Sequence, residues 1–377
     1  MLSVWSTIQQ ASRDAKTEKA GKTVAVKPGQ TPSGPTVSVR PKPTTKELRT
    51  ANAFTMPAKS SGALDLRHAN KHMPEGARFL DITHLILGHY ARFPNRWVQD
   101  LATIYTALTH FTDDEGAPVF SAIPHWLIVG SHGSGKTRAA KVMRAMMREP
   151  TGIAVRYTMP GVRNALNNHQ VPFLDELQRY FVTGRSYQDL QAIIAGSYSE
   201  ESTTLDGIGG GPNDRDAYGP MVLIGQPRLI TNTGDTLDDL LERSIVVPWE
   251  KSYDDIPELD DEFHNLTDGV RNLLSLWGAA ERPIPNQQNK TPKLWPIHGV
   301  PAELQARAAE IAKAPLAVAD RAVNPEIVQQ NGNDIRWALR AREAIVKVFK
   351  GHGNDPSTLA DDIESKLKSM GLSIEKE

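Results

Sequence analysis

HWLIVGSHGSGKTRAAKVMRAMMRE, residues 125–149, decides the fold. Its first six residues are an apolar run of buried-strand character. Its last thirteen place apolar residues at helical spacing. Between them Gly130–Thr137 reads GSHGSGKT, which satisfies G-x-x-x-x-G-K-[ST]. A glycine-rich turn between a strand and a helix aims backbone N–H groups at phosphate oxygens, and the helix dipole adds positive potential. Gly130, Ser131, His132, Gly133, Ser134, Gly135, Lys136, Thr137 and Arg138 are therefore the candidate nucleotide-binding residues. In that role Lys136 reaches the terminal phosphates of ATP, and the Thr137 hydroxyl is a magnesium ligand.

Four more apolar runs extend the pattern outward: IAVRYT (153–158), VPFLDE (171–176), MVLIGQ (221–226) and SIVVPW (244–249). Helical or polar segments separate them, as in a parallel sheet covered on both faces. The expected class is α/β, a three-layer core around a five-stranded parallel sheet. VPFLDE sets Asp175 and Glu176 at the end of its strand, the edge where open α/β sheets bind ligands. Asp175 is the candidate second magnesium ligand, and Glu176 the candidate that polarises an attacking water. The competing account is an acidic helix N-terminus, since ELQRYF is able to begin a helix.

Upstream, 81–93 and 96–111 show helical spacing, punctuated by Pro94 and Asn95. In the second, Trp97, Leu101, Ile104, Tyr105, Leu108 and Phe111 form one stripe. Downstream, 282–300 is rich in Pro and polar residues and reads as a linker. After it, 301–350 reads as helices, with a last amphipathic helix near 356–369 that Gly371 would stop. The domain bounds are then a basic tail at 1–62, a core with its preceding helices at 63–282, a linker at 283–300, and helices at 301–377.

Composition sets limits. With 39% hydrophobic and 23% charged residues among 377, the chain is ordinary for a folded soluble protein. No apolar stretch approaches the ~20 residues that cross a bilayer. The N-terminus lacks a secretory pattern, and cysteine is absent, which removes disulfides and thiolate zinc sites and fits the cytoplasm. Residues 1–60 carry ten Lys/Arg against three Asp/Glu, so the remainder stands at −8 for a net charge of −1. The basic segment suits either a polyanion partner or a solvated disordered leader. His68 and His72 lack a third ligand, and Trp97, Trp126 and Trp277 suit core positions. No Ser-His-Asp triad is legible from spacing alone.

The loop with its GKT, the Asp-Glu strand and an arginine before the closing strand together resemble ring-forming AAA+ and superfamily-three helicase ATPases. A closer resemblance is to a poorly characterised ATPase domain family of actinobacteria and their phages and plasmids, often joined to primase or helicase modules. It runs over about residues 80–345, through LATIYTALTHFTD (101–113), LDE, YGPMVLIGQ, DTLDDLLERSIVV and the helical 310–344. It implies strand order 5-1-4-3-2 in chain numbering, with Lys136 and Asp175 on neighbouring but non-consecutive strands. It also implies a helical lid at about 300–350, and a hexameric ring acting on single-stranded or forked DNA. Gln226, or else Asn232, would sense the γ-phosphate; Arg243 would be a finger reaching a neighbouring subunit. A capping amide and an ion pair with Asp239 are the plainer readings of these positions.

The segment 198–220 departs from the family in length. It is either a hairpin facing a pore, with Arg215 touching nucleic acid, or a surface loop. No primase elements accompany the core. Three functions remain in view: a replicative helicase or helicase loader, an ATP-switched adaptor that recruits replication proteins, and a P-loop kinase.

Overall fold

The computed structural model describes residues 75–181, 187–201, 203–206, 213–227, 229, 235–251, 256–283, 292–304, 306–322 and 336–350. The basic tail, His68, His72, Asn232 and the helix expected near 356–369 lie outside the described residues.

The strand that opens the diagnostic stretch, β1 (His125–Gly130), is buried at every position. It lies between two parallel partners, β6 (Val222–Gly225) and β7 (Ser244–Trp249). With β2 (Pro150–Ala154) and β3 (Val171–Leu174) they form one parallel five-stranded sheet, in the order β2-β3-β6-β1-β7. Read from the other edge, this is the expected 5-1-4-3-2. A smaller antiparallel pair, β4 (Thr203–Asp206) and β5 (Asn213–Asp216), lies within the segment 198–220.

Alternation along the strands separates two cores. Trp126, Ile128, Val222, Ile224, Ile245 and Val247 face one side, and Leu127, Val129, Leu174, Leu223 and Val246 face the other. The first side is covered by α1 (Glu75–Tyr90), α2 (Arg96–Leu108), α3 (Lys136–Met146), α7 (Asp261–Ala280), α8 (Ala306–Arg321) and α9 (Arg336–Lys350). The second is covered by α4 (Met159–Asn167), α5 (Gln188–Gly196) and α6 (Asp235–Glu242). Both faces of the sheet are thus covered, as its continuous apolar strands require.

Local chemistry corrects several expectations. The second strand runs over 150–154 rather than 153–158: the chain bends at 155–156, and Thr158 caps α4 by accepting from the Gly161 N–H at 3.3 Å. The third ends at Leu174, two residues before its expected end. The first helix occupies 75–90 rather than 81–93, and the second stops at 108. The single stripe read along α2 understates its burial: Asp100, Thr103 and Thr106 on its polar side are buried as well. Thr103 and Thr106 return their hydroxyls to carbonyls one turn back, so no orphan hydroxyl results. Of the three tryptophans assigned to the core, Trp126 and Trp277 are buried and Trp97 is partly so.

Helices α8 and α9 pack against the N-terminal helices. Arg336 and the Trp337 indole both donate to the Asp81 carboxylate, at 2.6 and 3.1 Å. Arg340 pairs with Asp100, whose side chain is fully buried and also lies 3.0 Å from His84 Nε2. Arg342 grips Asp320 of α8 through two nitrogens, at 2.7 and 3.0 Å. These charge-assisted contacts dock α9 on α1, α2 and α8.

Candidate functional site

At the carboxyl edge of β1 the chain turns into α3 through Gly130–Gly135. Gly130 is required by contact: a Cβ there would collide with the backbone oxygen of Trp249 on β7. Gly133 and Gly135 have φ of +71° and +94°, the left-handed region that suits glycine. Gly135 is the N-cap of α3 and provides no side-chain cap, so the first N–H groups of the helix are left for another acceptor.

Lys136 is buried, and its ammonium turns back on the loop. It donates to the carbonyls of Gly130 and Ser131, both at 2.5 Å, and to Ser134 Oγ at 3.4 Å. Burial lowers its pKa from the ordinary lysine value, and the charges of Asp175 and Glu176 oppose that shift. The neighbouring Thr137 hydroxyl donates to Asp175 Oδ2 at 3.3 Å. Arg138 leaves the same turn in another direction, to the backbone oxygens of Tyr90 and Pro257.

The acidic pair comes directly after β3. The Asp175 N–H donates to Ala154 O at 2.8 Å, and its Oδ1 accepts from the Glu176 N–H at 2.7 Å. Glu176 has φ +58°, an uncommon conformation for a side-chain-bearing residue. The chain then makes a single 3-10 turn, Leu177–Arg179, with no side-chain cap from Glu176. The acidic pair therefore does not open an α-helix. Strain at a carboxylate facing a cavity is a pattern of functional sites.

These groups converge. A cavity of about 400 Å³ is lined by the loop from His132 to Arg138, and by Asp175, Glu176, Gln178, Gly225 and Gln226. The expectation that Lys136 and Asp175 follow neighbouring strands is corrected: β6 stands between β1 and β3. Lys136 and Asp175 meet because their loops bend together over the tip of that middle strand. Gln226 occupies this tip, half-buried. None of the described cavity lining comes from 300–350.

Arg243 is placed elsewhere. It precedes β7 at the amino edge of the sheet, where its carbonyl accepts from the His125 N–H. Five residues at ~3.3 Å rise separate this edge from the loop, roughly 17 Å. Its side chain donates to Ala195 O at 3.1 Å, lies 3.6 Å from Asp239 and stacks 4.9 Å from the Tyr198 ring. The ion pair with Asp239 is thus present within the chain.

Two residues near the carboxylate escaped sequence reading. Gln178 Nε2 donates to Glu176 Oε2 at 2.7 Å, and Arg179 Nε lies 3.3 Å from the same oxygen. Their place directly after Asp-Glu was visible, but their direction depends on the 3-10 turn.

The residues suit magnesium held with phosphate. Among the described residues no cluster of three or more His, Cys, Asp or Glu forms a metal cage. Thr137 and Asp175 instead offer a pair of oxygen ligands, leaving the remaining positions to phosphate and water, as Mg²⁺ prefers. No helix among the described residues is long and apolar enough to cross a membrane. No protein-family model matches the chain, and no curated protein matches it.

Proposed function

We propose that the chain is a magnesium-dependent ATPase of a phage or mobile element. It would act on nucleic acid in the cytoplasm as a ring-forming DNA helicase or helicase loader in replication. The observation that carries the ATPase reading is the meeting of Lys136, Thr137, Asp175 and Glu176 at one cavity, beside an uncapped helix N-terminus. In this reading the loop N–H groups bind the phosphates of ATP. Lys136 exchanges the Gly130 and Ser131 carbonyls for phosphate oxygens. Thr137 and Asp175 hold Mg²⁺, which supplies charge neutralisation on the phosphates. Glu176 orients a water and takes its proton. A kinase would instead carry phosphate to an acceptor, so product analysis separates transfer from release to water.

The nucleic-acid part rests on the basic tail, the β4–β5 pair in the segment 198–220, and the motif resemblance. The test is ATP hydrolysis with and without single-stranded DNA across a salt series. Stimulation that fades as salt rises supports a motor. Hydrolysis indifferent to DNA sinks it.

A specific observation favours a second reading, the ATP-switched adaptor. Arg243 is engaged by three groups of its own chain, at the amino edge of the sheet. Arg243→Ala separates the two. A trans-acting finger loses hydrolysis while keeping nucleotide binding; an adaptor with a structural arginine keeps both.

A further inference from the structure

We infer that Gln178 is a positioning residue that fixes the Glu176 carboxylate to the tip of β6. The inference rests on the ATPase reading above and adds to it a residue outside the loop and the acidic pair.

Gln178 is only 2% exposed, and both ends of its amide are used. Nε2 donates to Glu176 Oε2 at 2.7 Å, while Oε1 accepts from the Gln226 backbone N–H at 3.0 Å. Only one amide orientation satisfies both neighbours. Turned over, the NH₂ group would face an N–H donor, and the oxygen would face a carboxylate. The bridge is therefore directional, and it joins two strands. Glu176 comes after β3, and Gln226 directly follows β6, the strand between β3 and β1.

Glu176 needs such a tether. Its backbone holds a left-handed conformation, and its other side-chain partner, Arg179, is 56% exposed. A long, solvated arginine restrains a carboxylate weakly. The buried, charge-assisted amide bond is the stronger restraint. It links the carboxylate that would orient water to the strand tip that lines the phosphate end of the cavity. Displacement of that tip moves the carboxylate with it.

The test compares Gln178→Ala, which removes both arms, with Gln178→Glu, which keeps size and the acceptor while setting two carboxylates together. Hydrolysis rate, ATP affinity and melting temperature are measured for each. The expected result is a kcat lowered about 10- to 100-fold in both, the scale of a misplaced catalytic group. ATP affinity stays within about threefold, since the loop that binds phosphate is untouched. If the wild type hydrolyses ATP and both variants keep kcat within twofold, the positioning role is wrong while the ATPase reading stands. If kcat, affinity and melting temperature collapse together, Gln178 serves the fold and the inference is overturned. A wild type that binds ATP without hydrolysing it removes the ATPase reading itself.

Discussion

The Thr137 hydroxyl and the Asp175 carboxylate meet at 3.3 Å although they follow strands that do not pair. Thr137 lies in the first turn after β1 and Asp175 directly after β3, with the tip of β6 between. In the proposed function these two oxygens, beside a buried ammonium, would hold a cation that travels with phosphate. Thr137→Ala and Asp175→Asn are each expected to lower kcat/KM for magnesium-ATP by about 10- to 1,000-fold, or ~1.4–4 kcal/mol. Thr137→Ser, which keeps the hydroxyl, retains most of it. Titrating the rate with Mg²⁺ checks the assignment: both damaging variants need more metal.

Gly130 tests the loop's geometry apart from its chemistry. Alanine there drives a methyl group into the Trp249 carbonyl, so β1 and β7 must separate. Gly130→Ala is expected to destabilise by ~1–3 kcal/mol, as overpacking does, read as a lower urea midpoint at unchanged slope. Gly133 has open space around it, and only its φ of +71° resists a side chain. Alanine at Gly133 should cost ~1–2 kcal/mol, the penalty of a left-handed residue.

Asp100 holds the C-terminal helix. Its carboxylate is fully buried against Arg340 and His84. Asp100→Ala removes one partner and leaves a buried guanidinium without its counter-charge. The expected loss is about 3–5 kcal/mol in chemical denaturation. The alternative outcome, a loss within ~1 kcal/mol, would mark the pair as surface-like.

Stability should fall on mild acidification. Burial pushes the imidazoles of His110 and His125 down to about 3, with the charge of Arg243 adding to the effect at His125. In the unfolded chain each takes a proton near the ordinary ~6.5. Their neutral burial is therefore fully compatible with folding above that pH. Between about 6.5 and 3 the unfolded state binds the extra protons, and each imidazole removes ~1.4 kcal/mol per pH unit. Urea midpoints at pH 7 and pH 5 measure the slope. His125→Leu should flatten it by one proton's worth; an unchanged slope would show that the imidazole is not buried neutral.

The features legible in the sequence were local ones. The strand, glycine turn and helix over 125–149 are set by neighbouring residues, as is the placement of Asp175 and Glu176 at the end of an apolar run. The strand order came with the motif resemblance, since periodicity places strands without ordering them. Distant partners were hidden. Asp100 meets an arginine 240 positions away, and Gln178 accepts from an N–H 48 positions on. The β-favouring run 153–158 leaves the strand at a bend after Ala154, and its last residue, Thr158, caps α4 instead. Arg243 was read from its position before a closing strand, and nothing local announces that Ala195, Tyr198 and Asp239 surround it.

The most direct test of the central claim is phosphate release from magnesium-ATP by the wild type, Lys136→Ala and Glu176→Gln, with ATP binding measured in parallel. Steady release by the wild type is expected. Lys136→Ala should lose binding and release together, while Glu176→Gln should bind ATP near-normally and release phosphate at least about 100-fold more slowly. Equal release by the wild type and Glu176→Gln, or ATP binding untouched by Lys136→Ala, would contradict it.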